Sequence, residues 1–453
     1  MPKLRFVHLS DIHFGQERDG SIRVHEDVRS EVLNDCIRFS ASKDVANGII
    51  ICGDTAYSGQ REEYKNASDW LENLAKACSC SKTDILVVPG NHDVDLEGVI
   101  YPCECAHREF RSSPEERIDE LLEKYDSTRF SPSPLLHKLD AYRKFAAQYG
   151  CDFESTCSAS WQKKFSISTA HKIVFVGMNT VLSSDKSDAP GKMILGSKQY
   201  VIPRHNNVEY IVLMHHPLEW LKDKHFAESY LFSRARLILT GHEHRLQILR
   251  ACIAGGSQYI HICSGAANPN ERSEPYNYRY NWIEIELKEN SNKYQLIIKI
   301  FPRKWNYSTT KFIPDTELTM GEEFYQTEIE CPNFFRNEEV PCSPAPPVNI
   351  EDVGCDILMS GSTQMTETNA PEFARLRYFF WKYLDRSARM EIFVKFQIFP
   401  ASNPQPLSQT IEGIALGELA KRNLLHDAWD AIMTFVPEGK REANPFTKGE
   451  IHA

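Results

Sequence analysis

Nine polar side chains stand where hydrophobic runs end: Asp11 and His13 close LRFVHLSDIH, Asp54 closes GIIICGD, Asn91 and His92 close DILVVPGNH, His215 and His216 close EYIVLMHH, and His242 and His244 close ARLILTGHEH. Asp93 follows directly on His92. Carboxylate, amide oxygen and imidazole without thiolate form a donor set suited to manganese, iron, zinc or cobalt rather than to a cysteine-rich structural zinc. A carboxylate can bridge two cations, and two cations about 3.5–4 Å apart can clamp both the attacking and the leaving oxygen of a phosphoryl displacement. Taken singly, the pieces are weak. A D-x-H or a Gly-Asp is commonly a turn or a cap, and a histidine doublet can be a buried hydrogen-bonded pair. The i, i+2 histidines of GHEH and the GNHD run are more specific, and five such endings in order are not explained by packing.

The runs that deliver these groups are continuous in Val, Ile and Leu rather than alternating, which predicts strands buried on both faces of an α/β layer architecture. Helical patterns fall between them, around residues 24–40 and over 61–78. In such sheets ligand groups gather where strands give way to loops. A chain of 453 residues predicts two or more domains. No apolar run approaches the roughly 20 residues of a membrane span and the first residues turn polar quickly, so a cytoplasmic protein with no membrane partner is expected. Thirteen cysteines, an odd number in a long chain, favour reduced thiols. The C-x-C pairs Cys78/Cys80 and Cys103/Cys105 lack the second pair a zinc site needs. A net charge of −10 excludes a wholly basic nucleic-acid coat but leaves room for a local positive groove.

The series Asp11-x-His13, Gly53-Asp54, Gly90-Asn91-His92-Asp93, His215 in LMHHP and Gly241-His242-x-His244 resembles the calcineurin-like metallophosphoesterase superfamily over about residues 1–315. The resemblance implies a four-layer α/β/β/α sandwich with two divalent metal ions at the strand ends, manganese first, with iron, zinc, nickel or cobalt as alternatives. It further implies one ion held by Asp11, His13, Asp54 and His244 and the other by Asp54, Asn91, His215 and His242, with Asp54 as the bridge. His216 would lie behind the ligands or touch substrate. His92 would protonate the leaving oxygen and Asp93 would orient His92. The resemblance places the chain among phosphodiesterases, nucleases and phosphatases. The HHP form of the fourth motif resembles the small phosphodiesterases more than the protein phosphatases, so phosphodiester cleavage of nucleic acid or nucleotides is expected. The alternative is a phosphomonoesterase acting on a small molecule or phosphoprotein.

A catalytic domain is expected over residues 1–318, interrupted at 101–165 by an insertion of helical pieces that reads equally well as a cap over the site or as a packing or dimer surface, leaving a homo-oligomer open. Its Arg108, Arg111, Lys138, Arg143 and Lys144 are candidates for phosphate contacts, set against acidic neighbours that suit a solvated face. A linker over 319–370, rich in Pro, Ser and Thr between 336 and 372, is expected to lead to an all-α domain over 371–453. The run ARMEIFVKFQI followed by LAKRNLLHDAWD resembles death-fold-like effector-associated domains. That likeness implies an adaptor protein as partner and a prokaryotic antiviral setting.

Overall fold

A computed structural model describes residues 2–16, 22–126, 133–252, 258–269, 277–290, 293–335, 371–384, 386–396, 398, 409–422 and 424–446. In chain order the first compact unit runs β1 (Lys3–Leu9), α1 (Ile22–Lys43), β2 (Gly48–Cys52), α2 (Arg61–Cys78), β3 (Ile85–Val88), α3 (Tyr101–Ser112), α4 (Ile118–Lys124), α5 (Pro134–His137) and α6 (Asp140–Ala147). It continues through β4 (Ser160–Ser166), β5 (Lys172–Met178), α7 (Ser197–Tyr200), β6 (Val208–Leu213), α8 (Lys224–Arg234), β7 (Ala235–Thr240), β8 (Leu246–Cys252) and β9 (Gln258–Ser264). The hairpin β10 (Arg279–Asn290) and β11 (Lys293–Asn306) follows, then β12 (Lys311–Pro314) and β13 (Tyr325–Glu330).

These strands make two sheets, one ordered β12-β11-β10-β1-β2-β3 with β13 also paired to β11, the other ordered β4-β5-β6-β7-β9-β8. Alternation along the second sheet explains the layering. Ile173, Phe175, Ile211, Leu213, Leu237 and Leu239 share one core with the first sheet, while Val174, Val176, Tyr210, Val212 and Ile238 pack on Leu231 of α8. Between the sheets the Phe6 ring sits 5.1 Å from Phe165 and 4.7 Å from Phe175. On the outer face of the first sheet Phe39 of α1 stacks on Trp282 of β10 at 4.4 Å. The result is the expected α/β/β/α sandwich. Each fully buried Ile, Leu or Phe contributes about 1.5–3 kcal/mol, and the motif-bearing strands are accordingly rich in them, with Arg5 and His8 in β1 and Glu209 in β6 as buried polar members.

Strand β13 carries the first unit past residue 318, the boundary expected from sequence, because Gln295–Ile300 of β11 pair with Tyr325–Glu330. The rest of the expected linker, residues 336–370, lies outside the described residues. Likewise β4, which pairs antiparallel with β5, takes residues 160–165 out of the insertion and into the second sheet.

The insertion is packed on the unit rather than standing off from it. Cys103, Phe110, Leu121, Tyr142 and Phe145 join the main core, and the Phe145 ring stacks on Tyr64 of α2 at 4.9 Å. Lys138 is buried, with Nζ donating to the Ser184 carbonyl at 2.6 Å and lying 3.1 Å from His107 Nε2. Its ammonium thereby fastens the insertion to the loop after β5. Removing a buried charged donor leaves that carbonyl unsatisfied at a cost of about 1–3 kcal/mol. Lys138→Ala is therefore expected to lower stability by about that amount in urea unfolding; an unchanged midpoint and slope would show that the brace holds nothing.

The second unit contains α9 (Pro371–Tyr383), α10 (Arg386–Lys395), α11 (Gln409–Lys421) and α12 (Leu425–Met433), closed around Leu376, Phe380, Phe393, Leu416, Leu419 and Trp429. The buried Glu412 carboxylate accepts from Arg389 Nε at 3.0 Å, tying α10 to α11. Among the described residues, no helix of either unit is long and apolar enough to cross a membrane. The ten cysteines with described side chains are free thiols.

Candidate metal centre

The ends of β1, β2, β6 and β7 and the turn after β3 bring the predicted side chains together. His13 Nε2 lies 3.3 Å and His215 Nε2 3.4 Å from Asp54 Oδ2. His244 Nε2 is 3.2 Å from Asp11 Oδ1. Asn91 Oδ1 is 3.0 Å from both His215 Nε2 and His242 Nδ1. Asp11, Asp54 and His215, and separately Asp11, His13 and His244, offer ligand atoms within 4.8 Å of one another. All seven residues named as ligands from the sequence thus converge on one place.

Local backbone shows what this convergence costs. Asp11, His13, Asp54, His242 and His244 have φ of 54°, 53°, 52°, 69° and 51°, the left-handed region that non-glycine residues rarely occupy and that functional sites tolerate at about 1–3 kcal/mol each. The glycines of the motifs are spacers. At Gly53, with φ 88°, an added Cβ would run into the His215 ring, and at Gly90 it would run into Asp54.

The donor set fits a cation. His13 Nδ1 is 3.1 Å from the Asn268 carbonyl and His215 Nδ1 is 2.8 Å from the Cys52 carbonyl. Each ring therefore donates its Nδ1 proton to a backbone oxygen and presents Nε2 to the carboxylates and Asn91 as the atom that a cation would take in place of a proton, the arrangement that orients ligating imidazoles. Burial opposes the charge on Asp54, but the His215 and His92 imidazoles and hydrogen bonds from His13 and His215 hold its carboxyl well below the usual range. His215 shows the converse: burial would lower it, and Asp54 beside it raises it to about 9. His242 falls to about 3 through burial and the charge of His215.

Residues 4–246 match the model of the calcineurin-like phosphoesterase family. The chain belongs to that family. Members of the calcineurin-like phosphoesterase family bind a dinuclear metal centre. Residues 372–434 match the model of the GTPase-associated adaptor domain. The metallophosphoesterase-like protein YydB of Bacillus subtilis is 22% identical over 331 residues, 67% of this chain and 61% of that protein, so the chain spans less than two thirds of that relative's length. Among solved structures, purple acid phosphatase PPD1 from yellow lupin seeds aligns with a TM-score of 0.37 at 10% identity, covering 77% of this chain and 57% of that one. The sulfate thiohydrolase SoxB of Thermus thermophilus aligns with a TM-score of 0.32 at 12% identity, covering 70% and 59%.

Two expectations are corrected by the geometry of the phosphoesterase. Asp93 does not orient His92 through its carboxylate. It accepts from the Ala56 and Gly90 amides at 2.9 Å each and from Tyr64 OH at 3.0 Å, so it ties the β2 and β3 turns together. What holds the His92 ring is Tyr57: its carbonyl lies 2.9 Å from Nδ1 and its ring stacks 5.1 Å away at 18°. The His92 amide donates to Asp54 Oδ1 at 2.8 Å, which fixes it beside the two carboxylate-bearing turns. The insertion's cations fit the solvated-face reading except at Lys138: Arg111 pairs with Asp185, and Arg143 donates from Nε to the Phe153 carbonyl at 2.8 Å and lies 3.6 Å from Asp140, whereas Lys138 is buried on the Ser184 carbonyl.

Tyr57 and Asn268 are functional neighbours missed from the sequence. Tyr57 sits in the GDTAYSG run already singled out, where only the Asp drew notice. Asn268 closes QYIHICSGAAN, a further strand-then-turn unit, and its amide donates to the Asp11 carbonyl at 2.9 Å. His216 stays behind the ligands, its Nδ1 2.9 Å from Thr180 Oγ1 and its ring 4.5 Å from that of His242. Beside Asn91 and His92 opens a cleft of about 1230 Å³, also walled by Tyr57, Gln60, His137, Asp140 and Asp188. The insertion therefore lines the approach to the centre.

Proposed function

We propose that the protein is a two-metal phosphodiesterase acting on a nucleotide-sized diester. Asp11, His13, Asp54 and His244 would hold one ion, and Asp54, Asn91, His215 and His242 the other, with manganese first among the metals that such oxygen and imidazole donors suit. When bound, the pair supplies Lewis-acid charge opposite the phosphoryl oxygens and a water acidic enough to attack at neutral pH. The chain's own part is positional. His92 carries a proton at Nε2 toward the leaving oxygen while Nδ1–H donates to the Tyr57 carbonyl, and Asp93 keeps the supporting turns in register.

The observation that carries the diester reading is the cleft at His92, about 1230 Å³ and open on the side where a leaving group would lie. The leaving alcohol of either ester would occupy part of that space, and the volume also admits the second organic group that only a diester carries. The experiment is a comparison of bis(p-nitrophenyl) phosphate with p-nitrophenyl phosphate on manganese-loaded protein. The diester is expected to show the higher kcat/KM by ~10-fold or more, the scale of a binding contribution of about 1.4 kcal/mol. A preference for the monoester would sink the reading.

In the same proposal the C-terminal helical unit, residues 371–453, is the protein-interaction domain. Its match to the GTPase-associated adaptor domain supports docking onto a GTP-hydrolysing partner or that partner's adaptor. An adaptor-tethered phosphodiesterase suits an antiviral setting, in which cleavage must be confined to a signalled occasion. We place it in the cytoplasm, where thirteen cysteines would stay reduced.

A further inference from the structure

We propose that Trp220 is a positioning residue for the second ion: its indole holds the His242 ring so that Nδ1 stays turned toward Asn91 and His215. This rests on the two-metal reading and assigns one further residue a part in it. Two of the other imidazoles named as ligands are held by hydrogen bonds, His13 and His215 each giving Nδ1–H to a backbone carbonyl. His242 differs. Its Nδ1 is the atom that faces the centre, 3.0 Å from Asn91 Oδ1 and 3.2 Å from His215 Nε2, and among the described residues no hydrogen bond holds its Nε2. Ligating imidazoles are normally fixed through their second nitrogen, so this ring must be oriented by packing instead.

Trp220 supplies that packing. The indole stands edge-on to the His242 ring, centroids 4.1 Å apart at 80°, and lies 5.3 Å from the ring of His216. His216 is tied to Thr180 and packs on His242 in turn, at 4.5 Å. Trp220 Nε1 donates to Glu243 Oε1 at 3.0 Å. Glu243 stands between His242 and His244, so the same indole restrains the turn on which His242 takes a left-handed φ of 69°. The clamp is itself anchored. Trp220 closes the single helical turn Leu218–Trp220 directly after His215, His216 and Pro217; its amide donates to the Pro217 carbonyl at 3.0 Å and its carbonyl accepts from the Met193 amide at 2.9 Å. One short segment therefore delivers the ligand His215 and the ring that orients the ligand His242. Among the described residues, the ring contacts of Trp220 fall on His216 and His242 and on no side chain assigned to the first ion, so its loss should be felt at the second.

The test is manganese binding to the full-length chain, read by titration calorimetry and by electron paramagnetic resonance, which separates a magnetically coupled pair of ions from an isolated one. The unaltered chain should bind two ions and show the coupled pair. Trp220→Ala should weaken the second ion by ~10–100-fold, the range for losing a group that orients a metal ligand. Affinity for the first ion should stay as it was, and the resonance should become that of an isolated ion. Trp220→Phe keeps a ring but not the bond to Glu243, and should regain most of the lost affinity, a rescue that a general loss of stability would not show. A Trp220→Ala chain that binds both ions as before, or loses both together, overturns the inference and leaves the two-metal reading standing; so does a Phe variant no better than the Ala variant. An unaltered chain that binds fewer than two ions overturns the two-metal reading and this inference with it. Should Trp220→Ala fail to fold, Trp220→Leu, which keeps bulk without a ring, is read on the same terms.

Discussion

Replacing Asp54 with Asn should lower phosphoester turnover by ~10³-fold or more and reduce bound manganese to well under two ions per chain. On the proposed assignment Asp54 is the one side chain shared by both ions. Its Oδ2 is within 3.4 Å of ring nitrogens from His13 and His215, which belong to different halves of the site. An asparagine keeps the shape and loses the charge that offsets two cations. Bound metal contributes several kcal/mol of charge stabilisation in the transition state, and at about 1.4 kcal/mol per factor of ten that loss gives the stated drop. The checks are metal content by mass spectrometry and steady-state rate on the same preparation. A variant retaining two ions and near-normal rate would remove Asp54 from the bridge.

His92→Ala should leave the metal content at two ions and lower kcat by ~10²–10⁴-fold, the range of a positioned general acid. The ring is held from two sides, by the Tyr57 carbonyl at 2.9 Å from Nδ1 and by the Tyr57 ring at 5.1 Å. Its Nε2 takes no part in that bond, and His92 lines the cleft. Substrates with a good leaving group need less protonation, so the defect should shrink for aryl esters and be largest for alkyl diesters. Metal loss in this variant, or a defect independent of the leaving group, would instead assign His92 to the coordination sphere or to folding.

Much of this site was legible because each ligand follows an apolar strand directly. Buried strands must be continuous in Val, Ile and Leu, and what comes after them at a sheet edge is free of packing duty, so Asp11, Asp54 and His215 stand out against their surroundings. Roles that depend on a direction rather than a type were not legible. The GNHD run places Asp93 beside His92 in sequence, yet the short turn after β3 sends the two side chains apart, and the carboxylate closes on the Ala56 and Gly90 amides instead. Nothing in the spelling of GDTAYSG says that a backbone carbonyl of Tyr57 will hold a histidine 35 residues away. The insertion's Lys138 misled for a related reason: it looks like a surface charge in sequence, and only packing shows it 1% exposed and bound to Ser184. Strands β4, β8 and β13 do not stand out in the sequence because they are edge or hairpin strands with mixed polar patterns, such as SWQKKFS, which carry a weaker hydrophobic signal; β9, interior between β7 and β8, is a short run, QYIHICS, broken by His261.

The central claim is the convergence of Asp11, His13, Asp54, Asn91, His215, His242 and His244 on two cations. Anomalous diffraction from crystals grown with manganese measures it directly. Two peaks are expected, one beside Asp11, His13 and His244 and one beside Asn91, His215 and His242, with Asp54 between them. No peak in this place, or a lone ion away from Asp54, would contradict it.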